Sequence, residues 1–411
     1  MDYDYVIVGG GIAGLYSALK ITQAFPKAKV ALTEMYSQLG GRIQTYHDSG
    51  VQFEEGAGRI HSSHRLVAAL VKRYGLTKLN IPNESEALWI GEGDQPKENS
   101  WPSIANFLTL LLSKIDPLVL QTKTVKEILD DTLEQFAVNP LLKRFAYTSE
   151  VYTLRADLAL HALKGEFSGK GHFYVLKEGI ESIIDNIRKE LEGRMDIFLE
   201  HRLTAISSDG VKAKLQFKGK KTLIANKVIL AIPSEALKGL AAFKNLPILK
   251  RVTMRPLLRI YGVFPTPPWF EMIPKTITDS PLRHIIPIST KNGSIMTSYT
   301  DAKDTEFWMT IYKKYGEKAL SKRILQESEK LFKINIPEPH LFKMYYWKDG
   351  CSYWLPGLYD VKETSVRMMN PLPLSHPNVY VCSESYSVNQ AWVESALEHA
   401  DDMLQRYILI K

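Results

Sequence analysis

Gly9, Gly10, Gly11 and Gly14 form a Gly-x-Gly-x-x-Gly loop, and an acid, Glu34, stands about 20 residues beyond the last of them. Residues of these types at this spacing bind a dinucleotide. Gly9 makes the tight turn, Gly11 lets the backbone approach a pyrophosphate, and Gly14 lets a helix pack closely on the preceding strand. Ile12 and Ala13 open that helix, so free backbone N–H groups and the positive end of its dipole meet the phosphates. Glu34 is placed to accept hydrogen bonds from ribose hydroxyls and to repel a 2′-phosphate.

Such a loop means little without the elements that hold it. Tyr3–Val8 is rich in β-branched and aromatic residues and predicts a buried strand. Ile12–Phe25 carries Leu15, Ala18, Leu19 and Ile21 at helical spacing and stops at Pro26, and Ala28–Thr33 predicts a second strand ending at Glu34. The order strand, glycine loop, helix, strand, acid is the context the motif requires.

Further blocks lie along the chain. Leu39-Gly-Gly-Arg42 follows the acid. Phe173–Gly179 precedes a helix predicted to reach Leu191, and Arg202–Ile206 and Lys227–Pro233 read as strands. Val379–Ser385 runs on to Gln390-Ala-Trp-Val-Glu-Ser-Ala396. In these blocks the sequence resembles the flavin-dependent amine oxidases, the group containing monoamine, polyamine and L-amino-acid oxidases. The resemblance implies FAD as cofactor. It implies an α/β fold with a Rossmann-like FAD-binding domain assembled from 1–65, 170–249 and 361–411, and an α+β substrate-binding domain from 66–169 and 250–360. Residues 66–162 read as largely helical. The region 250–360 reads as strands, a hairpin at Lys291-Asn-Gly293, a helix from Phe307 to Phe332, and strands near Tyr345.

The same resemblance assigns residues. Gly41 and Arg42 would face the pyrophosphate and the Leu203 backbone the adenine, while Glu384 would hold the ribityl chain. Trp392 would be one wall of an aromatic cage at the flavin, with Tyr353 or Trp354 opposite, and Val393 would begin a helix aimed at the ring. The strand and turn Gly50–Ile60 would lie along the flavin through Gly58 and Arg59. Gly56-Ala-Gly-Arg59 is similar to a turn in L-amino-acid oxidases whose arginine binds the substrate carboxylate, a task suited to a two-pronged guanidinium. The implied chemistry is hydride transfer from the α-carbon of an amine, most simply an L-amino acid, to flavin N5. The imine would hydrolyse to a carbonyl compound and ammonia, and O2 would become H2O2.

Two positions depart from the pattern. Leu258–Trp269 matches a strand in which the family often carries a lysine, and Arg259 stands at that place; arginine keeps its proton. That opens alternatives: an FAD-dependent dehydrogenase or desaturase with a non-oxygen acceptor, or a flavin-bearing protein with weak or lost catalysis. Cys351 lies in a Gly-Cys…Pro-Gly stretch similar to one that attaches FAD covalently in monoamine oxidases, but non-covalent binding is the expectation. His61 and His64 lack companions for a metal site. No second Gly-x-Gly-x-x-Gly follows a strand, so electrons are expected from an organic substrate rather than from a nicotinamide.

The 411 residues are 45% hydrophobic and 24% charged, an ordinary globular composition that suits two domains. The net charge of +7 is spread among acids, with a short Lys218–Lys221 hairpin tip, and does not point to nucleic acid. Two cysteines build no disulfide framework, and neither a signal peptide nor a membrane-spanning stretch is evident, so a cytoplasmic protein is expected. The oligomeric state is open, a homodimer included.

Overall fold

The computed structural model describes residues 2–82, 87–89, 97–98, 101–143, 148–165 and 171–410. The expected boundary between 169 and 170 lies outside these residues.

The strand Asp2–Val8 is the middle of a seven-stranded sheet. It pairs in parallel with Val30–Thr33 on one side and Leu223–Leu230 on the other. Asp196–Phe198 continues the sheet beyond Val30–Thr33, also in parallel. Leu223–Leu230 is flanked further by Val379–Val381 in parallel and by the antiparallel pair Ala213–Phe217 and Leu203–Ser208. Val6, Ile7 and Val8 are buried, as a strand covered on both faces must be. The helix Ile12–Ala24 packs on this sheet with Glu181–Leu191 and Val393–Tyr407, through Leu15, Leu19, Ile183, Ile187, Leu397 and Leu404.

A second seven-stranded sheet has Val252–Val263 paired antiparallel with Leu341–Trp354 on one side and Ser294–Asp301 on the other. The expected hairpin joins His284–Ser289 to Ser294–Asp301, with Gly293 at φ 72. The helix expected from Phe307 begins earlier, spans Ala302–Phe332, and breaks its helical geometry at Gly316. Its buried face, with Trp308, Leu320 and Ile324, covers the sheet.

Residues 66–162 are less uniformly helical than expected. Helices Trp101–Leu112, Pro117–Thr122, Val125–Thr132, Gln135–Leu142, Ser149–Tyr152 and Ala156–Lys164 are present. Lys78–Ile81, however, pairs with Phe173–Leu176, and Ala87–Trp89 adds in parallel to Thr276–Thr278 in the second sheet. Strand pairing across long sequence distances overrides the local pattern there. Val6 and Val8 share one buried cluster with Val151, Leu154, Tyr353 and Trp354, so the two sheets are joined through packed side chains.

Candidate active site

A cavity of about 1930 Å³ begins at the glycine loop and runs between the two sheets. It exceeds the ~300–1,000 Å³ of common small-ligand sites and has room for a dinucleotide with space to spare.

The loop is built as the sequence predicts. Gly9 has φ 107, and a Cβ there would lie 2.3 Å from the Ala231 carbonyl oxygen. A Cβ on Gly14 would lie 2.0 Å from the Gly9 oxygen, so Gly14 sits behind the loop, at the helix–strand contact, and does not line the cavity. Gly11 differs from both: no atom lies within 4 Å of where its Cβ would be, and it lines the cavity. It precedes Ile12–Ala24 with no side chain capping the helix, which leaves the first N–H groups, those of Ile12 and Ala13 among them, for a ligand. This uncapped cradle fits the pyrophosphate of FAD. Glu34 is buried; its Oε2 accepts from Gly10 N at 2.7 Å and its Oε1 from Tyr36 N at 2.9 Å. Leu203 lines the same end of the cavity.

Further in, Gly41 (φ 59) packs on Gly11, and Arg42 donates from Nη1 to the Gly350 oxygen at 2.7 Å and from Nη2 to Glu384 Oε2 at 3.0 Å. Glu384 also accepts from Ser352 Oγ at 3.0 Å, Ser352 N at 3.3 Å and Ala391 N at 2.7 Å. Four protein donors occupy a carboxylate that has about four acceptor positions. Glu384, expected to hold the ribityl chain, lines the cavity and also fixes the walls around it.

At the far end, the guanidinium of Arg59 lies 4.7 Å from the Phe173 ring centroid and 5.6 Å from that of Trp392. The two rings stack 5.8 Å apart. Trp392 caps the helix Val393–Tyr407 without a side-chain bond, so that helix also opens toward the cavity, with Val393 at its start. Arg259 donates to the Glu54 carbonyl at 3.0 Å and lies over the Tyr299 ring at 4.8 Å. Gly58 makes room for it, since a Cβ would meet Arg259 Nη1 at 2.9 Å.

Tyr353 lines the cavity, whereas Trp354 does not. Trp354 points the other way along its strand, is fully buried, and donates from Nε1 to the Ser387 carbonyl at 2.9 Å. Of the two residues offered as the second cage wall, Trp354 is therefore a core residue. Cys351 lines the cavity; burial and the nearby Glu384 carboxylate push its thiol well above its usual range. His61 and His64 pack around Phe173 and Trp392, and the described residues hold no group of three metal-ligating side chains.

The sequence pattern missed Glu150, Tyr299 and Asp301, which line the same end. Glu150 Oε1 accepts from the Tyr353 hydroxyl at 3.3 Å, and its Oε2 is buried without a hydrogen-bond partner. Burial, with Asp301 beside it, pushes the Glu150 carboxyl up from the usual carboxylate range. Asp301 is held by Thr148 N, Thr148 Oγ1 and Ser149 N at 2.6–3.1 Å. An acid at the start of a short helix, and another at a helix cap, carry no sequence signal of a site.

Solved structures define the class of fold. The chain superposes on a redesigned putrescine oxidase with a TM-score of 0.80 over 99% of both chains, at 14% identity. A sequence profile described as flavin containing amine oxidoreductase matches residues 12–403. The chain belongs to the flavin containing amine oxidoreductase family, and it is an FAD-dependent oxidoreductase. Among its relatives, an uncharacterised protein of Acanthamoeba polyphaga mimivirus is 22% identical, with 99% of this chain and 94% of that protein aligned. The Arabidopsis thaliana protein named Probable polyamine oxidase 4 is 26% identical over 57% of this chain and 51% of its own length. An L-amino-acid oxidase of Naja atra is 34% identical over 28% and 21%. The two relatives with enzyme names are thus matched over about half their length or less. No helix among the described residues is long and apolar enough to cross a membrane.

Proposed function

We propose that the chain oxidises the α-amino group of an L-amino acid, giving an imine that water hydrolyses to a carbonyl compound and ammonia. FAD, when bound, would supply the acceptor for the hydride of the substrate α-carbon, with O2 as the final acceptor and H2O2 as product. The observation that carries the reading is that one cavity is lined both by Arg59, braced by Phe173 and Trp392, and by the acid Glu150. A guanidinium and a carboxyl together suit a zwitterion better than a simple amine. Arg59 would grip the substrate carboxylate and fix the α-carbon, while Trp392, Tyr299 and Tyr353 exclude water and tolerate a cation. Gly9, Gly11, Gly41, Arg42 and the two helix N-termini would hold the cofactor without a covalent bond.

Anaerobic mixing with a panel of L-amino acids, monoamines and polyamines tests this, with bleaching of the flavin spectrum as readout. Bleaching by amino acids, with ammonia and peroxide formed in air, is expected. A panel in which nothing bleaches the flavin would sink the reading. A second reading rests on Arg259, a cavity-lining group that cannot release a proton at the place where the resemblance expects lysine. It is a dehydrogenase that passes electrons to an acceptor other than O2; reoxidation much faster by a quinone or a phenazine than by air would favour it.

A further inference from the structure

An amine reaches the cavity mostly as ammonium, with a pKa near ~10 for an alkylamine like the lysine side chain. Its nitrogen lone pair must be freed before the adjacent C–H bond can leave with its electrons, so a proton acceptor within reach speeds the reaction. Arg259 keeps its proton. The Tyr353 hydroxyl is held protonated by burial and by the neighbouring Glu150 carboxyl. Asp301 has its oxygens occupied by Thr148 and Ser149.

Glu150 stands apart from these. It lies in the short helix Ser149–Tyr152 and lines the cavity, with Oε1 on the Tyr353 hydroxyl and Oε2 buried and unpartnered. The titratable and charged groups around it come from three directions. Asp301 is at the end of Ser294–Asp301, Tyr353 and Cys351 are on Leu341–Trp354, and Arg59 is in the turn after Val51–Glu54.

Building on the amine-oxidation reading, we infer that the Glu150 carboxylate, which lines the cavity, takes the proton released by the bound substrate ammonium. One N–H bond breaks and one O–H bond forms on the carboxylate, while the electron pair stays on nitrogen. A cation and a carboxylate become a neutral amine and a neutral carboxyl, which removes an otherwise buried ion pair from a poorly solvated cavity. The proton returns to water after product leaves. Burial and the adjacent Asp301 hold this carboxyl above the usual carboxylate range, which favours keeping the proton once it has been taken.

The test is anaerobic flavin reduction in the holoenzyme with L-leucine, L-lysine, putrescine and spermidine, taking the fastest of these into E150Q and E150D. In E150Q the limiting rate of bleaching at pH 8 should fall at least ~100-fold, with much less change in substrate affinity. The wild-type rate should rise with pH through the titration of Glu150. In E150Q the rise should move to alkaline pH, following the substrate's own ammonium, and E150D should recover part of the rate with the acid limb retained. An E150Q enzyme with the wild-type limiting rate and acid limb overturns the inference, as does a loss confined to affinity. If E150Q fails to hold FAD, E150D decides: an unchanged rate and profile overturn the assignment. Bleaching of wild type by none of the four compounds sinks the amine reading itself, an outcome distinct from unaltered kinetics in the variants.

Discussion

Arg42 Nη2 donates to Glu384 Oε2 across 342 residues of sequence. The same carboxylate receives Ala391 N at 2.7 Å, and Ala391 sits at φ 72, a region uncommon for a residue with a side chain. Glu384 thus ties the loop after the glycine motif to the turn that delivers Trp392. Removing one partner leaves the others poorly satisfied in a buried place.

Glu384→Gln and Arg42→Ala should therefore each weaken FAD binding by about 10–100-fold, the equivalent of one hydrogen bond to a charged group. The double variant should lose little more than either single one, because both act on one network. Titration of the apoprotein with FAD, followed by flavin fluorescence, measures this. Strictly additive losses would show that the two residues act separately.

The glycine loop offers a contrast between folding and binding. Gly9→Ala places a methyl group 2.3 Å from the Ala231 oxygen at a positive φ, so the variant should lose several kcal/mol of stability or fail to fold. Gly11→Ala has open space around its Cβ and φ −73, so its thermal unfolding without FAD should match wild type. Its affinity for FAD should fall, because the methyl group occupies the approach to the helix N-terminus. Equal FAD affinity in Gly11→Ala would remove the loop from the cofactor site.

The parts of this site that were legible in the sequence are those fixed by backbone geometry. Glycines at set spacing, a strand before them and an acid after them report a local fold within a few dozen residues. Trp354 shows where such reading stops: neighbouring strand residues face opposite ways, and only the register of Leu341–Trp354 on Val252–Val263 sends Tyr353 to the cavity and Trp354 to the core. Glu150 and Asp301 were invisible for a related reason. They come together through the packing of a short helix on the end of a strand 153 residues from Thr148, and neither belongs to a local motif.

Arg59→Ala should damage the oxidation of α-amino acids far more than that of simple amines. A two-pronged guanidinium–carboxylate contact is charge-assisted, and losing it should lower kcat/KM for amino acids by ~100-fold or more. Monoamines lack the carboxylate and should lose only what the stacking on Phe173 and Trp392 contributes to the shape of the pocket. Steady-state kinetics on both substrate classes settle the matter. Equal losses would assign Arg59 to the flavin or to the cage.

Glu54 predicts how stability responds to pH. Its Oε2 accepts from Thr45 Oγ1 at 2.6 Å and its Oε1 from Ile180 N at 3.0 Å, yet burial dominates and pushes the carboxyl up from 4.5 to about 7. Between those two values the folded protein binds more protons at this site than the unfolded chain does. Its contribution to stability is therefore full below pH 4.5, declines as pH rises to about 7, and stays flat above. The decline is on the order of 3 kcal/mol, since each pKa unit corresponds to about 1.4 kcal/mol. Glu54→Gln keeps an acceptor for Ile180 N and supplies a donor toward Thr45 Oγ1, as the protonated acid does, but carries no charge to desolvate. The variant should match wild type near pH 5 and be more stable by up to that amount at pH 8, as read from denaturant unfolding at the two pH values. A stability difference that is the same at both would mean that Glu54 does not titrate between them.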